Sequence, residues 1–123
     1  MRKPHGNDKP GTKGVPVGTW GGEHVNLEVT ERGASVEFDC AHAAIDRRIV
    51  LDHRNRFDVA GIYTEEHGGP VRETEQADGS PARFTGQVTG KRMKLTVTHS
   101  DTKEIIGTFA LIHGEEPSLV KCR

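Results

Sequence analysis

The 123-residue sequence is poor in apolar residues, at 33%, and poorer in aromatic ones, at 5%. That supply is lean for a helical bundle or for an α/β fold whose strands are buried on both faces. It suffices for a sheet with one wet face, where only alternate residues need burial. No stretch carries a helical period of useful length. No apolar run approaches membrane-spanning length, and none follows Arg2 and Lys3 as a signal peptide would require. Neither sign of charge is in excess. Basic residues number 17 and acidic residues 18, for a formal net charge of −1, whereas a nucleic-acid binder usually carries a clear basic surplus. Neither a membrane nor a nucleic acid is expected as partner. The chain also lacks a G-x-S-x-G elbow and a glycine-rich phosphate loop opening a helix. Ser100 follows His99, but in a strand their side chains point to opposite faces. These gaps weigh against an enzyme.

What is present has a period of two. A chain of this length suits one domain. Residues 1–16, dominated by Lys, Pro, Gly and Asn, read as a flexible arm that cannot offset the entropy of its own ordering. Residues 17–123 read as the folded domain. Val25, Leu27 and Val29 alternate with polar residues, and so do Ala34, Val36, Phe38 and Cys40. A less regular strand spans 44–51. The pattern resumes with Phe57, Val59, Gly61 and Tyr63, then Phe84, Gly86 and Val88, then Met93, Leu95, Val97 and His99, then Ile105, Gly107, Phe109, Leu111 and His113. A short strand over 118–122 is expected last. Half-buried strands joined by short turns produce this pattern. The predicted fold is therefore all-β, a single-domain antiparallel up-and-down barrel of about eight strands, because closure removes exposed edges. A β-sandwich is the alternative. The connection over 67–81 has no period, and its length marks it as functional or disordered.

Alternating strand directions sort residues to the two ends. The end where the Val25 strand begins, here the lower end, gathers Glu23, His42, Glu65, Glu66, His67 and His99. His42 and His99 share the parity of the apolar faces and are expected to point inward. His42, His67 and His99 with Glu65 or Glu66 could hold a divalent metal, and a haem would need one axial histidine. No H-x-H or H-E-x-x-H spacing supports such a site, so ordinary strand-end histidines are the plainer reading. Arg32, Arg54, Arg56, Lys91 and Arg92 collect at the upper end, with Glu31, Asp52, Glu115 and Glu116 in the same turns to cancel their field. Cys40 and Cys122 both finish strands at the lower end. Two strand spacings, ~10 Å, would separate them, so a disulfide stays open at this level. A bridge would imply export or a periplasmic setting, and free thiols the cytoplasm.

Gly18-Thr19-Trp20, entering the first strand of a β-meander, resembles the G-x-W signature of the calycins, which include lipocalins, avidin-like proteins and nitrobindin-type barrels. Neither a T-D-Y-like motif nor a C-terminal helix, both expected of a lipocalin, is present. The resemblance implies that Trp20 plugs the closed end of the barrel, with Lys121 or Arg123 packed over it. A plug at the lower end would leave the entrance above, lined by His53 and His113. The leading functional expectation is a non-catalytic lipocalin-like barrel, without cofactor, that binds a small apolar or amphipathic ligand. Phe38, Phe57, Tyr63, Phe84, Met93 and Phe109 are the lining candidates. The alternatives are a protein-interaction or inhibitor module using the 67–81 loop, and a metal- or haem-binding barrel.

Overall fold

The computed structural model describes residues 13–66 and 79–120. Ten strands follow in order: β1 (Lys13–Gly14), β2 (Gly18–Gly22), β3 (Val25–Val29), β4 (Ala34–Phe38), β5 (Ala41–Ile45), β6 (Val50–Leu51), β7 (Arg56–Glu65), β8 (Ser80–Thr89), β9 (Arg92–His99) and β10 (Ile105–His113). Eight of them close into an antiparallel barrel in the order β10-β2-β3-β4-β5-β7-β8-β9, the up-and-down arrangement that the two-residue period predicts. Register follows burial. Leu27 stands opposite both Trp20 and Val36, and all three are buried. A slip of one residue would carry Val25, Leu27 and Val29 out to solvent, so the pairing is strongly specified.

The strand count agrees with the sequence, but the membership does not. The run Gly18–Gly22 is a barrel strand, hidden because its glycines leave no apolar alternation to detect. The expected last strand is absent from the barrel: Ser118 makes only an isolated parallel bridge to Glu23, and residues 121–123 lie outside the described residues. The irregular strand over 44–51 divides in two. Ala41–Ile45 stays in the barrel, while Val50–Leu51 leaves it to pair with β1. Val15 donates its N–H to Ile49 O at 3.0 Å, and Val15, Ile49 and Leu51 are buried. Lys13–Pro16 thus belong to the fold, not to the arm.

Side chains occupy the lumen. Trp20, Phe84, Leu27, Leu95, Leu111, Val25, Val36 and Val97 are all less than 2% exposed, and each such aliphatic or aromatic burial contributes about 1.5–3 kcal/mol. Glycines on the inner face make room for the rings. A Cβ at Gly61 would come within 2.8 Å of Phe84 Cε1, one at Gly86 within 2.5 Å of Phe57 Cζ, and one at Gly107 within 2.9 Å of Phe109 Cζ.

Beyond β10 the chain turns at Gly114, whose N–H donates to Thr19 O at 2.7 Å, and returns along the outside as a strap. It lies against Gly21, where a Cβ would stand 2.2 Å from Glu115 O. Ser118 donates its N–H to Gly22 O at 3.0 Å and accepts that of His24 at 2.7 Å. Val120 donates its N–H to Asp39 Oδ1 at 2.9 Å. Cys40, next to Asp39, is disulfide-bonded, and the sequence holds one other cysteine, Cys122, outside the described residues. The expectation of two strand spacings between the cysteines assumes a terminal barrel strand, and the described part of that segment, up to Val120, is not one. As a strap it crosses directly to the end of β4.

Candidate functional site

Three regions of the surface follow from this architecture: the two barrel ends and one seam in its wall. Trp20 belongs to the upper end. Its indole N–H donates to Pro16 O at 2.9 Å, and its ring stacks on His113 with centroids 4.6 Å apart. His113 in turn donates from Nε2 to Val17 O at 2.9 Å. The chain entering β2 and the last residue of β10 thus hold the indole from two sides. Trp20 does not plug the lower end, and His113 packs on it instead of lining an entrance. Lys121 and Arg123, the expected basic partners of Trp20, lie outside the described residues. His53 is exposed in the turn after β6. In that turn Asp52 Oδ1 accepts the N–H groups of Arg54 and Arg56 at 2.8 and 2.9 Å. The Arg56 bond above all, with Arg54 and the charges nearby, holds the Asp52 carboxyl below its ordinary range, against a smaller opposing effect of desolvation.

At the lower end aromatic rings meet across the barrel. Phe38 lies 5.1 Å from Phe109 and 5.7 Å from Tyr63, and Tyr63 meets His99 edge-on at 6.0 Å. Burial, assisted by the negative charge of Glu65, pushes the Tyr63 phenol above its ordinary value. Three of the six lining candidates, Phe38, Tyr63 and Phe109, therefore come together. The other three, Phe57, Phe84 and Met93, are core residues at most 5% exposed.

The histidines do not assemble. His42 is exposed and points outward, because the inward positions of β5 fall on Ala41, Ala43 and Ile45. Its Nδ1 lies 2.8 Å from Glu66 Oε2. His99 faces Tyr63, Glu65 is exposed, and His67 lies outside the described residues. No three His, Cys, Asp or Glu side chains among the described residues converge as metal ligands would. The sequence missed a second pair at this end, His24 Nδ1 with Asp39 Oδ2 at 2.5 Å. It was legible in principle, since the two flank the directly opposed Val25 and Phe38.

The third region is the seam between β10 and β2. These strands pair at only two positions, Ile112 with Gly21 and His113 with Trp20, while Ile105–Leu111 pair with β9 alone among the described residues. A groove of about 530 Å³ runs along the seam, with Gly21, Gly22, Thr108, Ala110 and Ile112 in its walls. Glu23, Glu115 and Glu116 border it with His24, and among the described residues no lysine or arginine does. A second outer concavity, about 650 Å³ between β6 and β9, has mixed charge from Asp52, Arg56, Asp58 and Lys94. In comparisons with known proteins, no family model, no curated protein and no solved structure matches the chain.

Proposed function

We propose that this chain is a non-catalytic protein-interaction module, a solid barrel that works through its outer surface. The observation that carries this reading is the occupied lumen: Phe57, Phe84 and Phe109 fill the space above Gly86, Gly61 and Gly107. A lipocalin-like carrier needs that space for its ligand. The disulfide at Cys40 suits an oxidising compartment, where small domains commonly act by binding. The second reading keeps the small apolar or amphipathic ligand but moves it to the lower mouth. The half-buried rings of Tyr63 and Phe109 beside Phe38 favour it. A divalent metal or haem has less support, because His42 and His99 face different neighbours.

Native mass spectrometry of untagged protein from its own host tests the proposal. The expected mass is that of the chain less the two hydrogens of one disulfide, and a stoichiometric small-molecule, metal or haem adduct would overturn the reading. A photo-crosslinking residue moved around the outer face is expected to trap a protein partner from a contiguous set of positions. Failure at every outer position would also overturn it.

A further inference from the structure

The concavity beside β6 arises where the chain leaves the barrel. β6 pairs with β1 and not with the barrel wall. Val50 and Asp52 therefore form one side of a cleft of about 650 Å³, and the outer face of β7, β8 and β9 forms the other. Register sets its floor. Arg56 stands opposite Gln87, and Gln87 opposite Lys94, in one row across the three strands. Asp58, Thr85 and Thr96 make the next row. Both rows point outward, because successive side chains take opposite faces and Phe57, Val59, Val88 and Leu95 are buried.

The cleft holds both signs of charge, but its acids are already engaged. Asp58 Oδ1 accepts the Arg83 guanidinium N–H at 2.8 Å. Asp52 Oδ1 accepts the backbone N–H groups of Arg54 and Arg56. The side chains of Arg56 and Lys94 are exposed, and among the described residues neither makes an ion pair. What the cleft has left to give is cationic: a guanidinium and an ammonium that originate two strand spacings apart, about 10 Å, with the Gln87 amide between them. The wider field agrees. β7, β8 and β9 carry Arg56, Arg83, Arg92 and Lys94 against Asp58 and Glu65. β3 and β4, on the far side of the barrel, carry Glu28 and Glu37 and no cation. An acidic partner is repelled from one wall and steered to the other.

Resting on the reading of this chain as a protein-interaction module, we infer that the cleft between β6 and β9 docks an extended acidic segment of a partner protein, with separate carboxylates on Arg56 and Lys94. Arg56 supplies a bidentate fork and Lys94 a point charge. The Gln87 amide and the hydroxyls of Thr85 and Thr96 meet the backbone of the segment. Recognition takes place on a sheet face and leaves every barrel hydrogen bond in place. Other anions fit less well. A compact phosphate would crowd against Asp52 and Asp58, and the turn amides that could hold it are spent on Asp52. An acidic polysaccharide would find no ring to stack on, since the large apolar residues exposed among the described residues are all aliphatic.

The test titrates isotope-labelled full-length protein, at low ionic strength, with the peptide acetyl-Glu-Ser-Glu-Ser-Glu-amide. Its lysine counterpart, a galacturonate trimer and inorganic phosphate are the comparisons. The acidic peptide is expected to shift the amides of Gln87, Lys94 and Thr96 and to lose affinity as salt is added. Arg56→Gln and Lys94→Gln should each weaken it about threefold, and together about tenfold. Lys103→Gln, which removes an exposed cation from the turn after β9, should leave it unchanged. Should a variant lose its native spectrum, the lysine peptide carries the same comparison on the unaltered protein. Equal binding of the two peptides, tighter binding of galacturonate or phosphate, an equal loss at Lys103, shifts confined to other strands, or no binding would overturn the inference. So would a concentration-dependent assembly in which the β3–β4 wall of one copy covers the cleft of another. None of these outcomes touches the broader reading, which fails instead on a stoichiometric bound ligand or on the absence of any crosslinked partner.

Discussion

Phe57 on β7 and Gly86 on β8 stand directly opposite one another, and the phenyl ring fills the space that a Cβ at position 86 would need. The glycine is there for the ring. Gly86→Ala would drive a methyl to 2.5 Å from Phe57 Cζ and against Lys94 O. Overpacking of this kind is expected to cost about 1–3 kcal/mol. Phe57→Ala, which empties the same space, should cost about 3–5 kcal/mol. Denaturant unfolding measures both, and a neutral Gly86→Ala would show that the lumen has room to spare.

Trp20 is the only tryptophan, so its fluorescence reports on the upper end alone. Trp20→Phe keeps an aromatic ring but deprives Pro16 O of its donor, and is expected to lower stability by about 1–3 kcal/mol. In the native protein the indole should resist quenching by iodide, because it is 0% exposed. Ready quenching would mean that Pro16 and the His113 ring do not shield it from solvent.

The strap is held at its far end by Val120 on Asp39 and by the disulfide at Cys40. Cys40→Ser should lower stability by about 2–4 kcal/mol. Hydrogen exchange at the Ser118 and Val120 amides is expected to accelerate before that of the barrel strands. Equal acceleration throughout would show that the bridge braces the barrel as a whole.

Tyr63 is the only tyrosine, so the near-ultraviolet absorbance of the phenolate follows one group. Burial raises its folded-state value, and its ionisation should come above about pH 10, the ordinary midpoint. The sign for stability follows. The neutral phenol's contribution is complete below the unfolded midpoint and is lost as pH rises towards the folded one. Asp52 acts oppositely. Its lowered carboxyl contributes above the ordinary carboxylate range, and the contribution is lost as pH falls through the folded value. Unfolding midpoints across both pH ranges would check the two directions.

The barrel was legible in the sequence because Val25, Leu27, Val29 and their successors obey one rule, burial of every second residue. The rule fails where side chains are missing or geometry is not strand-like. Gly18–Gly22 went unrecognised because glycine gives no apolar signal. The strap reads as a strand in sequence because Leu119 and Val120 mimic one. At the sites, parity agrees with His99, which faces Tyr63, but not with His42, because β5 begins at Ala41 and its inward positions are Ala41, Ala43 and Ile45. The short pairing of β2 with β10, two positions long, is not legible either, because a sequence specifies a strand but not how far its neighbour accompanies it.

Xenon is small enough to enter any apolar void that a ligand could use, and dry apolar cavities bind it. Methyl-detected NMR under xenon pressure therefore probes the lumen most directly. The filled barrel predicts no saturable shift at the inward methyls of Leu27, Val36, Leu95 and Leu111. Saturable shifts at those methyls would reveal an open chamber and return the chain to the ligand carriers.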